Sequence, residues 1–398
     1  MKNFKRVLAM TTAAVMAVTS FAGCSSNSAN SGNVGGSTNV AEGEKTIVIG
    51  GSGPLTGDAA QYGVGVKNAI QLAVNEVNAA GGVNGNKLKL VFEDDEADSG
   101  DKAVNAYNTL KDQGMQIFLG TVTTGSCLAV VDKSKQDNIF QFTPSASAQD
   151  VIANDNCFQI CFTDPNQGKA SADCIADNKV ATKIGVIYDS SDAYSSGIYN
   201  AFKTEAAAKG LELVSEQSFT KDSKTDFSAQ IADCKNKGAE LVFLPIYYQP
   251  ASVIFSQAKA MGYEPTFFGV DGMDGILTLE GFDTSLAEDV MVLTPFSADA
   301  QDEQTQSFVA KYTEKYGEVP NQFAADEYDV IYALKAALEA ANCTPDMSTE
   351  EICDALVSAF QSLTFDGLTG KGMTWNTEGQ VSKAPTAYVV KDGQYVEG

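Results

Sequence analysis

Two successive series of short apolar runs, separated by segments with helical periodicity, limit the folds open to this chain more than any other feature. The runs of the first series predict strands at 46–49, 88–92, 117–120 and 139–142. The runs of the second series predict strands at 183–188, 211–214, 241–244, 267–269 and 290–293. Alternating strands and helices are typical of βαβ units, which place parallel strands in one sheet with helices on both faces. The sequence therefore predicts an α/β protein of two doubly wound lobes, each with a mostly parallel sheet.

The segments between the runs carry apolar residues at helical spacing. Val66, Ile70 and Val74 share one face of the segment 61–80, which ends at a Gly-Gly pair. Further helices are predicted at 195–209, 227–237, 304–316 and 324–341. Ligands of such folds bind beyond the carboxyl ends of the strands. Two lobes place a cleft between those ends, so the functional residues are expected in the loops that follow the strands.

The composition excludes several classes of function. The formal net charge is −24, which disfavours nucleic acid and anionic membrane surfaces as partners because both need a cationic footprint. The chain has no histidine. Its absence removes histidine-based triads, histidine-bound zinc and the commonest general base. The composition therefore favours a binding protein over an enzyme, and no metal site is expected.

The first residues have the pattern of an export signal with a lipid anchor. Three cations, Lys2, Lys5 and Arg6, precede an apolar run over 7–21 and the small residues before Cys24. This is the order of a secretory signal peptide, and small residues before a single cysteine resemble a bacterial lipobox. We expect a lipoprotein signal peptide over 1–23 and lipidation of Cys24. Ordinary secretion with a structural Cys24 is the alternative.

The residues behind this cysteine have the composition of a linker. Residues 24–44 are dominated by Ser, Asn and Gly, and such a segment lacks the apolar surface needed to fold. We expect a protein that works outside the cytoplasm and is anchored to the cell membrane by lipid.

The remaining cysteines do not form a metal-binding pattern. They are Cys127, Cys157, Cys161, Cys174, Cys234, Cys343 and Cys353. Their number is odd, so at least one thiol is unpaired in a monomer. Cys343 and Cys353 are the most local candidates for a disulfide, and buried free thiols are the alternative.

A glycine-rich stretch after the first strand invites a nucleotide-binding interpretation. Gly51 and Gly53 are spaced as in a dinucleotide fingerprint, but Thr56 stands where that fingerprint has its third glycine. Pro54 lies where the amides of a helix N-terminus would be needed. We therefore expect no nucleotide and no other cofactor.

Several longer segments resemble the type I periplasmic-binding-protein family, in particular its leucine/isoleucine/valine-binding branch. The more specific ones are the string Asn-Ala-Ala-Gly-Gly-Val-Asn-Gly at 78–85 and the turn Thr-Pro-Ser-Ala-Ser at 143–147. Weaker ones are Ser-Gly-Pro at 52–54, Gly-Val-Asp-Gly at 269–272 and Thr-Trp-Asn at 374–376. The resemblance covers 45–391 and implies a type I periplasmic binding fold. The lobes it implies are 45–164 with 297–369 at the N-terminal side, and 165–296 with 370–398 at the C-terminal side.

The resemblance also implies which residues hold the two charged groups of an amino acid. Thr124 and Tyr247 match positions that contact the ligand carboxylate, whereas Ser145 matches one that lends a backbone carbonyl to the ammonium. Ser147 matches a hydroxyl that bridges both groups, and Asp271 matches the acid that pairs with the ammonium. From the residues alone, Thr124 reads equally well as a helix N-cap. Asp271 reads as a solvated turn acid.

Aromatic side chains are candidates for the wall of the side-chain pocket. The candidates are Tyr62, Tyr194, Tyr248 and Phe323. For any single aromatic residue, a place in the core is the commoner role. Trp375 is expected to support a crossover between the lobes.

We expect a monomeric receptor that captures an α-amino acid with a branched side chain. It delivers this ligand to the permease and ATPase of an ABC transporter. Two alternatives stay open at this point. The same fold could bind an amide, urea or an aromatic acid, or the protein could act as an exported ligand sensor.

Overall fold

The structure, a computed structural model, describes residues 45–97 and 100–397. The predicted signal peptide, the lipidated Cys24 and the linker lie outside the described residues. Within the described part, no helix has the length and apolar character needed to cross a membrane.

The first series of strands forms one parallel sheet. Its strands are β1 (Thr46–Gly53), β2 (Lys87–Asp94), β3 (Ile117–Leu119), β4 (Phe140–Thr143) and β5 (Cys157–Gln159). The helices between them are α1 (Ala60–Ala79), α2 (Gly100–Asp112), α3 (Thr124–Leu128) and α4 (Val131–Gln136). The strand order is β2-β1-β3-β4-β5, and every neighbouring pair is parallel.

Strand β1 is longer than its apolar run. It continues through the glycines to Gly53, where the sequence had suggested a turn. A Cβ atom at Gly51 would lie 2.5 Å from the Phe92 ring, and one at Gly53 would lie 2.6 Å from Val122. These glycines therefore allow close packing within the lobe and do not form a phosphate-binding loop.

The second series of strands builds the sheet of the C-terminal lobe. Its strands are β6 (Lys183–Asp189), β7 (Glu212–Phe219), β8 (Leu241–Leu244), β9 (Thr266–Gly269) and β10 (Met291–Thr294). Its helices are α5 (Asp164–Asp177), α6 (Ala193–Lys209), α7 (Ser228–Asn236) and α8 (Tyr248–Ala260).

The chain then returns to the N-terminal lobe before it finishes in the C-terminal one. The later elements are α9 (Glu303–Tyr316), α10 (Gln322–Ala340), α11 (Thr349–Phe360), β11 (Thr364–Phe365), β12 (Met373–Thr374), β13 (Thr386–Lys391) and β14 (Gln394–Glu397). Strands β13 and β14 extend the second sheet to the order β14-β13-β10-β9-β8-β6-β7. They join it antiparallel, whereas the pairs among β6 to β10 are parallel. The predicted α/β fold with two mostly parallel sheets is confirmed.

Three chain segments cross between the lobes, after β5, after β10 and after β12. The indole of Trp375 donates a hydrogen bond to the carbonyl of Gln159 at 2.9 Å, which joins the first crossing to the third. Its ring packs on Phe142 and Phe360 of the N-terminal lobe. The predicted lobe boundaries fall near these crossings and stay a prediction.

The cysteines of the described part are all unpaired. The seven thiols are free, and six of them are buried. The local Cys343–Cys353 bridge is not formed, and both side chains lie in the apolar core. These cysteines pack as small hydrophobic residues.

Candidate ligand-binding site

The wall of the cleft on the N-terminal lobe is built from the loops that follow β3 and β4. The Thr124 hydroxyl accepts a hydrogen bond from the backbone N–H of Ser147 at 3.1 Å. The Ser145 hydroxyl donates to the carbonyl of Val122 at 2.6 Å. Both bonds are buried, and they hold the two loops together where parallel strands end.

The structure does not support helix capping as the role of Thr124. The N-cap of α3 is Thr123, and it makes no side-chain capping bond. Thr124 is the first helical residue, and its hydroxyl is turned to the neighbouring loop.

The opposite wall centres on Asp271, which lies in the turn after β9. Its carboxylate accepts hydrogen bonds from the Tyr194 hydroxyl and from the backbone N–H of Gly272. Its own N–H donates to the side-chain oxygen of Gln167 at 3.2 Å. Only 3% of Asp271 is exposed, so the interpretation as a solvated turn acid is wrong. Burial raises the pKa of its carboxyl to about 7, although the bond from Tyr194 acts to lower it.

Four aromatic side chains connect the two walls. The rings of Tyr194 and Tyr247 stack with centroids 4.9 Å apart. Tyr62 meets Tyr247 edge-on at 5.8 Å and contacts Phe323 at 4.2 Å. The hydroxyl of Tyr62 donates across the cleft to the carbonyl of Gly272. The structure therefore brings all the predicted wall residues together at one place.

Three polar residues of the C-terminal wall were not predicted from the sequence. Asp164 lies 2.6 Å from the Ser147 hydroxyl, and Gln167 contacts Asp271. Asp192 caps α6 through the backbone N–H of Tyr194 and lines the same cavity as Tyr247. Asp164 and Gln167 lie on the first turn of α5, a helix not predicted because its buried face is made mainly of small and polar residues. In the sequence, the only indication of their role is that they follow the strand after which the chain first crosses between the lobes.

The cleft carries acidic side chains that are not balanced by cations. Asp164, Asp192 and Asp271 have no ion pair with a lysine in the described part. Burial, followed by the charge of Asp189, raises the pKa of Asp192 to about 6. Lys383 is a nearby buried cation, but its ammonium is already bound by Asp326 at 2.7 Å and by Thr369. The cleft is thus suited to a ligand with a cationic group.

A cavity of about 490 Å³ opens between the lobes next to these walls. Thr123 and Gly125 line it from one lobe, and Asp192 and Tyr247 line it from the other. An ion pair between Asp58 and Lys224 joins the two lobes at its mouth. Among the described residues, no cluster of His, Cys, Asp and Glu has the arrangement of a metal site.

The comparison with known families decides the class of this two-lobed protein. A sequence profile described as "Periplasmic binding protein" matches residues 46–394. The chain belongs to the periplasmic binding protein family. Members of this family are extracytoplasmic solute-binding proteins and not enzymes.

Several relatives of this periplasmic binding protein are named as binding proteins for amino acids. It is 31% identical over 310 residues to the Leu/Ile/Val-binding protein homolog 3 of Brucella melitensis, covering 75% of this chain and 80% of that protein. It is 25% identical over 329 residues to the Leu/Ile/Val-binding protein of Escherichia coli, covering 82% of this chain and 88% of that one.

Solved structures show the same architecture. The branched-chain amino acid transporter substrate-binding protein LivJ of Streptococcus pneumoniae, in complex with isoleucine, superposes with a TM-score of 0.78 at 26% identity and covers 89% of this chain and 100% of that one. A Rhodopseudomonas palustris solute-binding protein in complex with 3,4-dihydroxybenzoic acid also has a TM-score of 0.78, at 21% identity, covering 89% and 96%. At that identity the second likeness establishes the fold alone.

Proposed function

We propose that this periplasmic binding protein captures an α-amino acid with a branched apolar side chain between its two lobes. The observation that carries this proposal is Asp271, a buried carboxylate that accepts from the Tyr194 hydroxyl and has no ion pair with a lysine among the described residues. A buried carboxylate is costly unless a cation pairs with it, and the ammonium of an amino acid supplies that cation.

The ligand is oriented by the different chemistry of the two walls. Thr124 and Tyr247 contact the ligand carboxylate. The carbonyl of Ser145, the oxygen of Ser147 and the carboxylate of Asp271 accept from the ammonium. Charge-assisted hydrogen bonds of this kind are shorter and stronger than neutral ones. The apolar side chain packs among the rings of Tyr62, Tyr194 and Phe323, which already contact one another or Tyr247.

Delivery to an ABC transporter completes the proposed role. The relatives named for leucine, isoleucine and valine support this class of ligand, and a related structure is named as the substrate-binding protein of a branched-chain amino acid transporter. The protein is a monomer tethered to the membrane through lipid on Cys24. It hands its ligand to the permease, and the ATPase of the transporter supplies the energy for uptake.

A thermal-shift screen of the full-length protein, purified in mild detergent, tests the ligand. Leucine, isoleucine and valine are compared with simple amides, urea and aromatic acids. A ligand at 100 times its Kd stabilises the native state by about 2.7 kcal/mol, which raises the Tm by several degrees. Stabilisation by an amide or an aromatic acid alone would show that the fold serves a different solute.

The lipid anchor is tested separately on the full chain. Cys24→Ser removes the only thiol that the signal pattern offers for acylation, so the protein should leave the membrane fraction and lose the mass of the lipid. A variant that stays membrane-bound would show that Cys24 is not the anchor.

A further inference from the structure

Ser147 and Asp164 are joined by two hydrogen bonds at the first crossing between the lobes. The backbone N–H of Asp164 donates to the carbonyl of Ser147 at 2.8 Å. The Ser147 Oγ and Asp164 Oδ1 atoms lie 2.6 Å apart. Ser147 is completely buried, and Asp164 is 1% exposed. The Ser147 hydroxyl and the Asp164 carboxyl are therefore joined by one hydrogen bond that is shielded from water.

The second oxygen of Asp164 has no partner. Its Oδ2 atom is buried and makes no hydrogen bond. A Cβ atom at Gly197 would lie 2.9 Å from it, so this oxygen packs against helix α6. An ionised carboxylate would leave one charged oxygen buried and unsatisfied, which costs far more than a neutral carbonyl oxygen in the same place.

The charged groups around Asp164 also disfavour ionisation. Asp271, in the turn after β9, and Asp192, at the start of α6, are the acids that face it. The hydroxyl of Ser147, the ring of Tyr247 and the thiol of Cys161 are the other titratable or polar groups near it. Burial, and then these two acids, raises the pKa of Asp164 well above its usual range. The start of α5 favours a negative charge here, but this effect is smaller than the cost of burying an unpaired charge.

The protonation state of Asp164 decides what Ser147 offers to a ligand. A serine hydroxyl has one proton and two lone pairs. If Asp164 is ionised, the serine proton is used for that bond, and Ser147 can only accept from the ligand. If Asp164 is protonated, it donates to Ser147, and the serine proton is free for an acceptor in the cleft.

We propose that Asp164 keeps its proton and donates it to Ser147 Oγ, which directs the serine proton to the carboxylate of the ligand. Ser147 then still has a lone pair for the ammonium, so it contacts both charged groups. A buried, neutral carboxylic acid is a known form of hydrogen-bond donor in apolar sites. Asp164 is thus a positioning residue that acts through Ser147. The inference rests on the proposed function, because it concerns the same site.

Affinity measurements on full-length variants test this role. We expect Asp164→Asn, which is neutral and can still donate, to bind L-leucine within about threefold of wild type. Asp164→Ala removes the donor and should weaken binding about tenfold, the size of one hydrogen bond. In the Ser147→Ala background, the same Asp164→Ala change should have little further effect, since both act on one contact. A loss in Asp164→Asn as large as in Asp164→Ala would overturn the proposal, because it would show that a carboxylate is required.

Two further readouts follow the proton on Asp164, and the second, the pH dependence of binding, does not change if Asp164 has only a structural role. Infrared difference spectra of wild type against Asp164→Asn, without ligand at neutral pH, should show the carbonyl band of a protonated carboxyl. Leucine binding by wild type should also weaken at alkaline pH more than binding by Asp164→Asn does. The absence of the carboxyl band would overturn the proposal even if leucine is not the ligand. A wild-type protein that binds no amino acid, by contrast, counts against the proposed function alone.

Discussion

The two walls of the cleft use different chemistry to hold their polar groups. On the N-terminal lobe, Thr124, Ser145 and Ser147 are neutral, and hydrogen bonds to the backbone of adjacent loops fix two of their hydroxyls. On the C-terminal lobe, Asp271 and Asp192 are acids whose pKa values are raised by burial. The first wall is stable without a ligand, whereas the second holds negative charge in a place where it costs free energy.

In the function that we propose, this difference orients the ligand. Neutral donors bind its carboxylate without any loss of charge pairing, and the uncompensated acids attract its ammonium. A ligand that bridges both walls satisfies them together and favours the closed arrangement of the lobes. Each wall can be changed separately, and the expected effects differ in size.

Removing the acid should nearly abolish binding. Asp271→Ala leaves the ligand ammonium buried without its counter-charge, and truncating one partner of a buried charge pair costs about 2–5 kcal/mol. We expect Kd for leucine to rise about a hundredfold or more in titration calorimetry, while thermal unfolding stays cooperative. Asp222→Ala, which changes an exposed acid of the same lobe, is the matched control. An unchanged Kd in Asp271→Ala would remove this residue from the site.

The buried carboxyl of Asp271 should also make the ligand-free protein more stable in mild acid than in mild base. The pKa of Asp271 is raised to about 7 in the folded protein, so between pH 4 and 7 the folded state binds a proton that the unfolded state has released. The free energy of unfolding therefore falls as the pH rises through the folded-state pKa of Asp271. For this one group the decrease is about 2 kcal/mol from pH 5.5 to 8. Denaturant unfolding should show this slope.

Two comparisons sharpen the pH prediction. Asp271→Asn should flatten the slope, because the substituted residue does not titrate. Leucine affinity should change in the opposite sense and weaken below about pH 7, since the ammonium needs the ionised carboxylate. An equal slope in Asp271→Asn would assign the pH dependence to other acids.

A substitution in the N-terminal wall should weaken ligand binding less than Asp271→Ala does. Thr124→Val keeps the shape of the side chain but leaves the N–H of Ser147 without its acceptor and removes a contact to the ligand carboxylate. Loss of such a bond costs about 1–3 kcal/mol, so Kd should rise about tenfold. Thr109→Val, at an exposed position of α2, should leave Kd unchanged. If leucinol, which lacks the carboxylate, loses as much affinity as leucine, Thr124 does not contact that group.

The smallest effect is expected at the mouth of the cleft. Lys224→Ala removes the ion pair with Asp58. The side chain of Lys224 is 41% exposed and that of Asp58 is 59% exposed. Exposed pairs contribute little and are screened by salt, so Kd should rise less than about fivefold at low salt and not at all in high salt. Lys221→Ala, in the same cavity lining, is the control. A loss that persists in high salt would indicate a role other than the ion pair.

Much of the fold could be predicted because it depends on local patterns. The apolar runs at 46–49 and 241–244 and the periodicity of 61–80 correspond to β1, β8 and α1. Helix α5 and the short edge strand β5 were missed, because their residues are buried by neighbours that the local pattern does not reveal.

The sequence by itself determined the fold class and the loops in which the proposed site lies, since strand ends and turn residues can be read along the chain. Only the tertiary structure decided that Asp271 is buried rather than solvated, that Thr124 binds the next loop rather than capping its helix, and that Asp164 meets Ser147. Burial and hydrogen-bond partners are set by residues far apart in the chain, such as Tyr194 and Asp271. Because pKa values follow from those surroundings, the charge of the cleft was also settled only by folding.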